Sequence, residues 1–214
     1  MAWERITISS PVEEIVAEVM VEEGDQVEKG QVLAQLASRK QELEIERLDQ
    51  LIAKARFSYE ATETLHEQKI ESRETLMEKK AELDELVIQR EVAMALVEER
   101  RILAPIDGTV VHRLKDPGES IGRVEPLFEL IDARRLKLMY FLPAEMLPRL
   151  ELGMVCPVEF PNLPDQVGHT AKLIFIDPQV DARSGLFRAR FEFDNSEAGI
   201  KPGVLTGVSL PDGE

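Results

Sequence analysis

Hydrophobic positions change their period twice along the chain. Between residues 39 and 100 the period is close to 3.6. Ile45, Leu48, Ile52, Ala55, Tyr59 and Thr62 fall on one helical stripe. Leu76, Leu83 and Val97, with Val87 and Met94 between them, form a second. This predicts helices over Arg39–His66 and Arg73–Arg100, 28 residues each, or roughly 42 Å per arm. Equal arms joined by a short polar turn predict an antiparallel hairpin with a coiled-coil seam. Ser38 followed by Gln41 resembles a capping box at the first helix. Arg90 shares a heptad position with Leu76, Leu83 and Val97, where a snorkelling side chain is expected.

On both sides of the helices the pattern is β, and the two sides repeat each other. Ser10-Pro-Val-Glu-Glu-Ile-Val16, Glu23-Gly-Asp-Gln-Val27 and Gln31-Val-Leu-Ala-Gln-Leu36 precede them. Ala104-Pro-Ile-Asp-Gly-Thr-Val110, Pro117-Gly-Glu-Ser-Ile121 and Glu125-Pro-Leu-Phe-Glu-Leu130 follow in the same register without a gap. Each copy reads as short strands separated by Gly-containing turns. About thirty residues of such strands cannot bury enough surface alone, so the copies are expected to face each other as one small sandwich.

After Asp132 the alternation continues. Phe187, Ala189, Phe191 and Phe193 alternate with Arg188, Arg190, Glu192 and Asp194, a half-buried strand. Similar runs at Leu136–Phe141, Val155–Phe160, Lys172–Ile176 and Val204–Leu210 predict a small, nearly closed barrel. Pro143-Ala-Glu-Met-Leu-Pro148 reads as a short helical turn. The fold class is α+β, mainly β, and elongated.

Composition narrows the chemistry. Hydrophobic residues make up 43% and charged residues 31% of 214, a folded rather than disordered composition. The formal net charge of −15, without a basic block, argues against a nucleic-acid partner. The single cysteine, Cys156, lies in an apolar stretch and reads as a buried small hydrophobe. His66, His112 and His169 lack metal-ligand spacing, and phosphate-cradling or nucleophile-elbow motifs are absent from the sequence. No catalytic residue, cofactor or metal is expected. Dispersed methionines (Met77, Met94, Met139 and Met146) read as gap fillers.

The two half-motifs, each Pro-x-x-Gly-x-Val … Gly-x-x-Val … Leu-x-x-Leu in outline, resemble the halves of a lipoyl/biotinyl domain. Gly24-Asp-Gln-Val-Glu-Lys-Gly-Gln-Val-Leu33, Ile102-Leu-Ala-Pro-Ile-Asp-Gly-Thr-Val110, Lys172-Leu-Ile-Phe-Ile-Asp-Pro-Gln-Val-Asp181 and Ile200-Lys-Pro-Gly203 carry the likeness. In this order, interrupted by a hairpin and followed by a barrel, they resemble the periplasmic adaptors (membrane fusion proteins) of tripartite efflux pumps, resistance-nodulation-division type or related. The resemblance implies a lipoyl-like split β-sandwich with an inserted α-helical coiled-coil hairpin and a small β-barrel. The expected division is 5–37 (lipoyl-like, first half), 38–102 (hairpin), 103–132 (lipoyl-like, second half) and 133–211 (barrel). It implies a non-catalytic periplasmic subunit between an inner-membrane transporter and a TolC-like outer-membrane channel. The subunit would also pair with itself, as a trimer or hexamer, while small molecules are exported. Glu14 departs from the motif, standing where the second copy has Gly108. The family's further membrane-proximal domain implies that this chain is a truncated or unusually short member, anchored to the inner membrane by a segment outside it.

The family's channel-docking motif is Arg-x3-Leu-x6-Ser-x4-Asp across the hairpin tip. Leu65 and Ser72 match it, whereas Ala61 and Met77 stand at the Arg and Asp positions. The expected partner-binding residues are therefore Leu65, Ile70 and Ser72, with helix capping an equal reading for Ser72. Two other classes remain open at this level. A biotinyl or lipoyl carrier would use Lys40, but it needs that lysine at a turn tip and not in a first helical turn. A coiled-coil scaffold unrelated to transport would explain the hairpin but not the split repeat.

Overall fold

The repeat folds by exchange. The computed structural model describes residues 1–210; the last residue of the expected barrel, 211, lies outside them. The first half-motif supplies β2 (Glu14–Val19), β3 (Gln26–Val27) and β4 (Val32–Leu36), and the second β5 (Arg101–Leu103), β6 (Gly108–Arg113) and β7 (Ser120–Ile121). Each half pairs with the other: Glu14 lies opposite Ile121 and Ile15 opposite Ser120, just as Gly108 lies opposite Val27 and Thr109 opposite Gln26. Backbone bonds between halves are duplicated too. Val16 N–H donates to Glu119 O and Val110 N–H to Asp25 O, both at 2.9 Å. Gly24 N–H donates to Val110 O at 2.8 Å and Gly118 N–H to Val16 O at 2.7 Å. The core obeys the same rule. Val16, Val27, Leu33 and Leu36 pack against Val110, Ile121, Leu127 and Leu130, and every one is buried.

Two positions break the symmetry. A Cβ at Gly108 would sit 2.5 Å from the Ile131 carbonyl oxygen, because the second half runs on as strand over that point. In the first half the chain leaves for the hairpin instead, and Glu14 has room. Its carboxylate faces the buried Arg100 guanidinium at 3.7 Å, at the root of the hairpin. The second break is Val124. Gly30 holds φ 87 in the first copy, and its counterpart Val124 holds φ 64, although β-branched side chains disfavour that region. Both make the same bond, Gly30 N–H to Ala104 O and Val124 N–H to Ser10 O, each 2.8 Å.

The hairpin comprises α1 (Arg39–Glu67) and α2 (Arg73–Glu98), the second ending two residues sooner than its periodicity suggests. Arg100 is drawn into the sandwich, where its carbonyl accepts from Leu36 N–H at 2.8 Å. Leu48, Ile52 and Ala55 of α1 are buried against α2, whose most buried residue is Ala93. Met94, expected in the seam, is exposed. Arg90 snorkels as expected: its half-buried stem lies in the seam row and its guanidinium reaches the half-exposed Asp49 of α1. The capping box does not form, because Ser38 Oγ donates to the Glu42 carboxylate at 2.5 Å and makes no cap bond.

The barrel unit hangs on one strand. β8 (Pro126–Pro143), 18 residues long, runs from the sandwich into the second unit. Its first part pairs with β6 and with β1 (Ala2–Ser9), a strand that the sequence pattern does not announce. Its second part pairs with β11 (Leu186–Asp194), and the sheet continues through β10 (His169–Ile176) and β9 (Val155–Glu159) to β12 (Gly207–Val208). The Tyr140 hydroxyl donates to Thr206 Oγ1 at 2.7 Å across the gap between β8 and the chain entering β12. Phe187, Phe191 and Phe193 fill the interior as their alternation requires, and Cys156 is buried beside them, its thiol pushed up by desolvation. At the junction Arg134 bonds Asp132 at 3.1 Å and Asp107 at 3.0 Å, and Arg135 and Lys137 flank the Trp3 ring.

Two outcomes follow from this packing. Val124→Gly should stabilise the chain by about 1 kcal/mol, relief of left-handed strain exceeding the entropy cost of glycine. Gly30→Val should destabilise it by about 1–2 kcal/mol. Urea unfolding reads both, and a destabilised Val124→Gly would contradict the symmetry. The second outcome concerns acid. Arg134, aided by its own backbone N–H and opposed by desolvation, holds the Asp132 carboxyl below its usual range. A depressed folded-state value adds stability above the unfolded value and loses it as the pH falls through the folded one. Asp132→Asn should therefore be less stable than the parent at neutral pH and lose less stability on acidification below about pH 4. Stability measured against pH checks this; parallel curves would contradict it.

Candidate functional site

The residues expected to bind a partner come together at the far end of the hairpin. α1 closes at Glu67, and Lys69 turns the chain with φ 61. That single left-handed residue lets the Lys69 N–H reach His66 O at 2.8 Å and the Ile70 N–H reach Leu65 O at 2.9 Å. The reversal is tied again by His66 Nδ1, 2.8 Å from Glu71 O. Leu65 and Ile70 are thus placed side by side through their backbones, and both are exposed, Ile70 the more so. An apolar pair at the tip of a charged arm has no core to join.

Ser72 has a defined local task. Its backbone is extended, and its Oγ accepts from Thr75 N–H at 3.0 Å, so it caps α2. Its hydroxyl also lies 2.9 Å from the Thr75 hydroxyl. The side chain is still exposed, so the cap leaves it open to a partner. Lys69 is the tip residue that sequence reasoning missed. Nothing in the residue type announces a left-handed lysine.

The other candidates are dispersed. Lys40 is exposed in the first turn of α1, far along the arm from the tip turn. His66, His112 and His169 lie in the tip, the sandwich and the barrel, and no group of three metal-binding side chains occurs among the described residues. A cleft of about 1250 Å³ separates sandwich from barrel, but its Asp107, Asp132 and Arg134 are already bonded to one another. No helix among the described residues is long and apolar enough to cross a membrane.

Comparison with known proteins places this geometry. Residues 4–132 match the CzcB-like barrel-sandwich hybrid domain, and residues 140–214 the CusB-like β-barrel domain. A Haemophilus influenzae protein, described only as uncharacterized, is 27% identical over 201 residues, covering 90% of this chain and 50% of its own. The chain thus spans about half the length of the curated relative it matches. A MacA–MexA chimera carrying the α-hairpin domain of Pseudomonas aeruginosa MexA superposes with a TM-score of 0.82 at 17% identity, over 99% of this chain and 79% of the chimera. A membrane fusion protein from Streptococcus pneumoniae gives 0.72 at 16% identity, covering 99% and 96%. MacA from Actinobacillus actinomycetemcomitans gives 0.62 at 18%, covering 98% and 76%. At these identities the structures speak to the fold alone.

The cap can be tested without a partner. Ser72→Ala should lower stability by roughly 1 kcal/mol, while Ser72→Asp, which caps as well, should hold it. Thermal melts decide; equal melts for all three would remove the cap.

Proposed function

The chain belongs to the periplasmic adaptor (membrane fusion protein) family through its CzcB-like barrel-sandwich hybrid domain, and on that premise we propose that it is the adaptor subunit linking an inner-membrane transporter to a TolC-like outer-membrane channel. It acts in the periplasm, held at the inner membrane by a segment outside this chain, and small molecules pass along the assembly without being transformed. Its division of labour follows residues 5–37 with 103–132 as the lipoyl-like unit, 38–102 as the arm and 133–211 as the barrel.

The observation that carries this reading is the tip. A 29-residue α1, about 44 Å long, holds Leu65 and Ile70 in solvent at the turn opposite the hairpin's root on the sandwich. A stiff two-helix arm with an exposed apolar end suits contact at a distance. Few residues carry most of the energy in such a contact. The barrel, which β8 joins to the sandwich, then lies nearer the transporter. Several copies side by side would surround the substrate path.

The test uses the complete adaptor in a drug-export assay, beside melts of the same variants. Leu65→Asp should abolish export with the fold intact. Ser72→Asp should stay folded, since Asp caps, yet lose export because its carboxylate would be buried against the channel at high cost. If both variants export normally, the tip is not the contact surface and the docking proposal fails.

A further inference from the structure

The outer face of the barrel sheet carries an aromatic side chain that simple alternation would have buried. In β10 Leu173 lies opposite Phe191, and both belong to the barrel core. Two residues on, Phe175 should point the same way. A bulge between Leu173 and Phe175 shifts the register by one. Phe175 therefore stands opposite Arg190 on the outside, and Ile176 takes the inward place opposite Ala189, packed on the core. Bulges re-aim side chains, and this one moves a phenylalanine out of a core that an isoleucine then fills.

Phe175 backs a pair of arginines. The Arg190 guanidinium lies 4.2 Å from the centre of its ring and that of Arg188 5.5 Å. Arg188 is neutralised by Asp177 at 3.1 Å, and the next acid along β11, Glu192, is held by Arg135 at 3.0 Å. Arg190, between them, joins no ion pair among the described residues. Its side chain is half-buried, and its Nε is covered without an acceptor. The charge is thus held in place by stacking and left unneutralised.

The other side of β11 supplies an apolar surface. Met139 lies opposite Arg190 and Phe141 opposite Arg188. Phe141 is 64% exposed. With Met139, Leu186 and Arg188 it lines an open groove of about 480 Å³, within the size range of small-ligand sites. The two carboxylates in this groove are already bonded, Asp177 to Arg188 and Asp181 to the Ser184 hydroxyl at 3.0 Å.

We propose that this face binds an organic anion with a flat apolar body, its carboxylate on Arg190 and its ring against Phe141 and Met139. A planar guanidinium suits a forked oxyanion, and the exposed ring beside it suits an aromatic one. An acidic chain of net charge −15 repels anions at long range, so the contact with Arg190 has to be short and direct. The site lies on the barrel alone and asks nothing of the adaptor reading.

The chain would be titrated with naphthoate while the methyl resonances of its methionines are followed. The Met139 methyl should shift and saturate, and Met77 and Met94 on the hairpin should stay still. Naphthylmethanol has the ring without the charge, and acetate the charge without the ring. Each should bind at least about tenfold more weakly than naphthoate. Arg190→Gln should weaken naphthoate by about tenfold or more and leave naphthylmethanol unchanged. Arg190→Lys, which keeps the charge and loses the fork, should fall between the parent and Arg190→Gln. Phe141→Ser, at an exposed position, should keep the parent's thermal melt and weaken both aromatic probes. Naphthoate binding that ignores Arg190→Gln, or naphthylmethanol bound as tightly as naphthoate, would overturn the proposal. So would the absence of a saturable shift at Met139.

Discussion

Everything in the molecule depends on one reciprocal exchange: each half-motif completes the other. Neither β2 with β3 nor β6 with β7 forms a sheet by itself, because β2 pairs with β7 and β3 with β6. The buried valines and leucines follow the same logic, Val16 being matched by Val110 and Leu33 by Leu127. A contact order this long is entropically costly unless something brings the halves together. The hairpin does so. Two antiparallel helices return the chain to its starting point, where Leu36 N–H meets Arg100 O and Gln35 lies opposite Arg101. The insertion therefore shortens the effective loop instead of lengthening it.

The departures from symmetry mark where other parts attach. Glu14 replaces the motif glycine at the hairpin root, facing Arg100, whose Nη1 also donates to Leu96 O at 2.6 Å. Gly108 stays a glycine because β8 passes over it on the way to the barrel. The arm leaves from one half of the repeat and the barrel from the other. A pseudo-symmetric unit thus sends one extension outward and one onward, the geometry an adaptor requires. Val124 fits neither extension; it keeps the turn of Gly30 and carries its strain.

Much of this was legible beforehand, and the misses have physical causes. The repeat, the two arms and the alternating Phe187–Phe193 strand are set by period and size, which sequence records directly. β1 was not announced because Glu4, Arg5 and Thr7 interrupt its apolar positions, and it is held as a strap on β8. Ser38 looked like a cap, but Glu42 competed for its hydroxyl. Arg90 snorkels as its heptad position predicts, whereas its partner Asp49 was not readable. At the tip, Leu65, Ile70 and Ser72 were readable as residues, whereas the left-handed Lys69 that joins them was not. Charges and turns depend on neighbours distant in sequence; stripes do not.

The exchange can be measured most directly by removing what joins the halves. Residues 39–99 would be replaced by a short Gly-rich turn, keeping Arg100 and its carbonyl, and unfolding followed by urea and heat. If the two half-motifs form one sandwich and the hairpin adds an arm and not a core, the shortened chain unfolds cooperatively, with its β signature retained. A molten product, or one without a cooperative transition, would contradict the account.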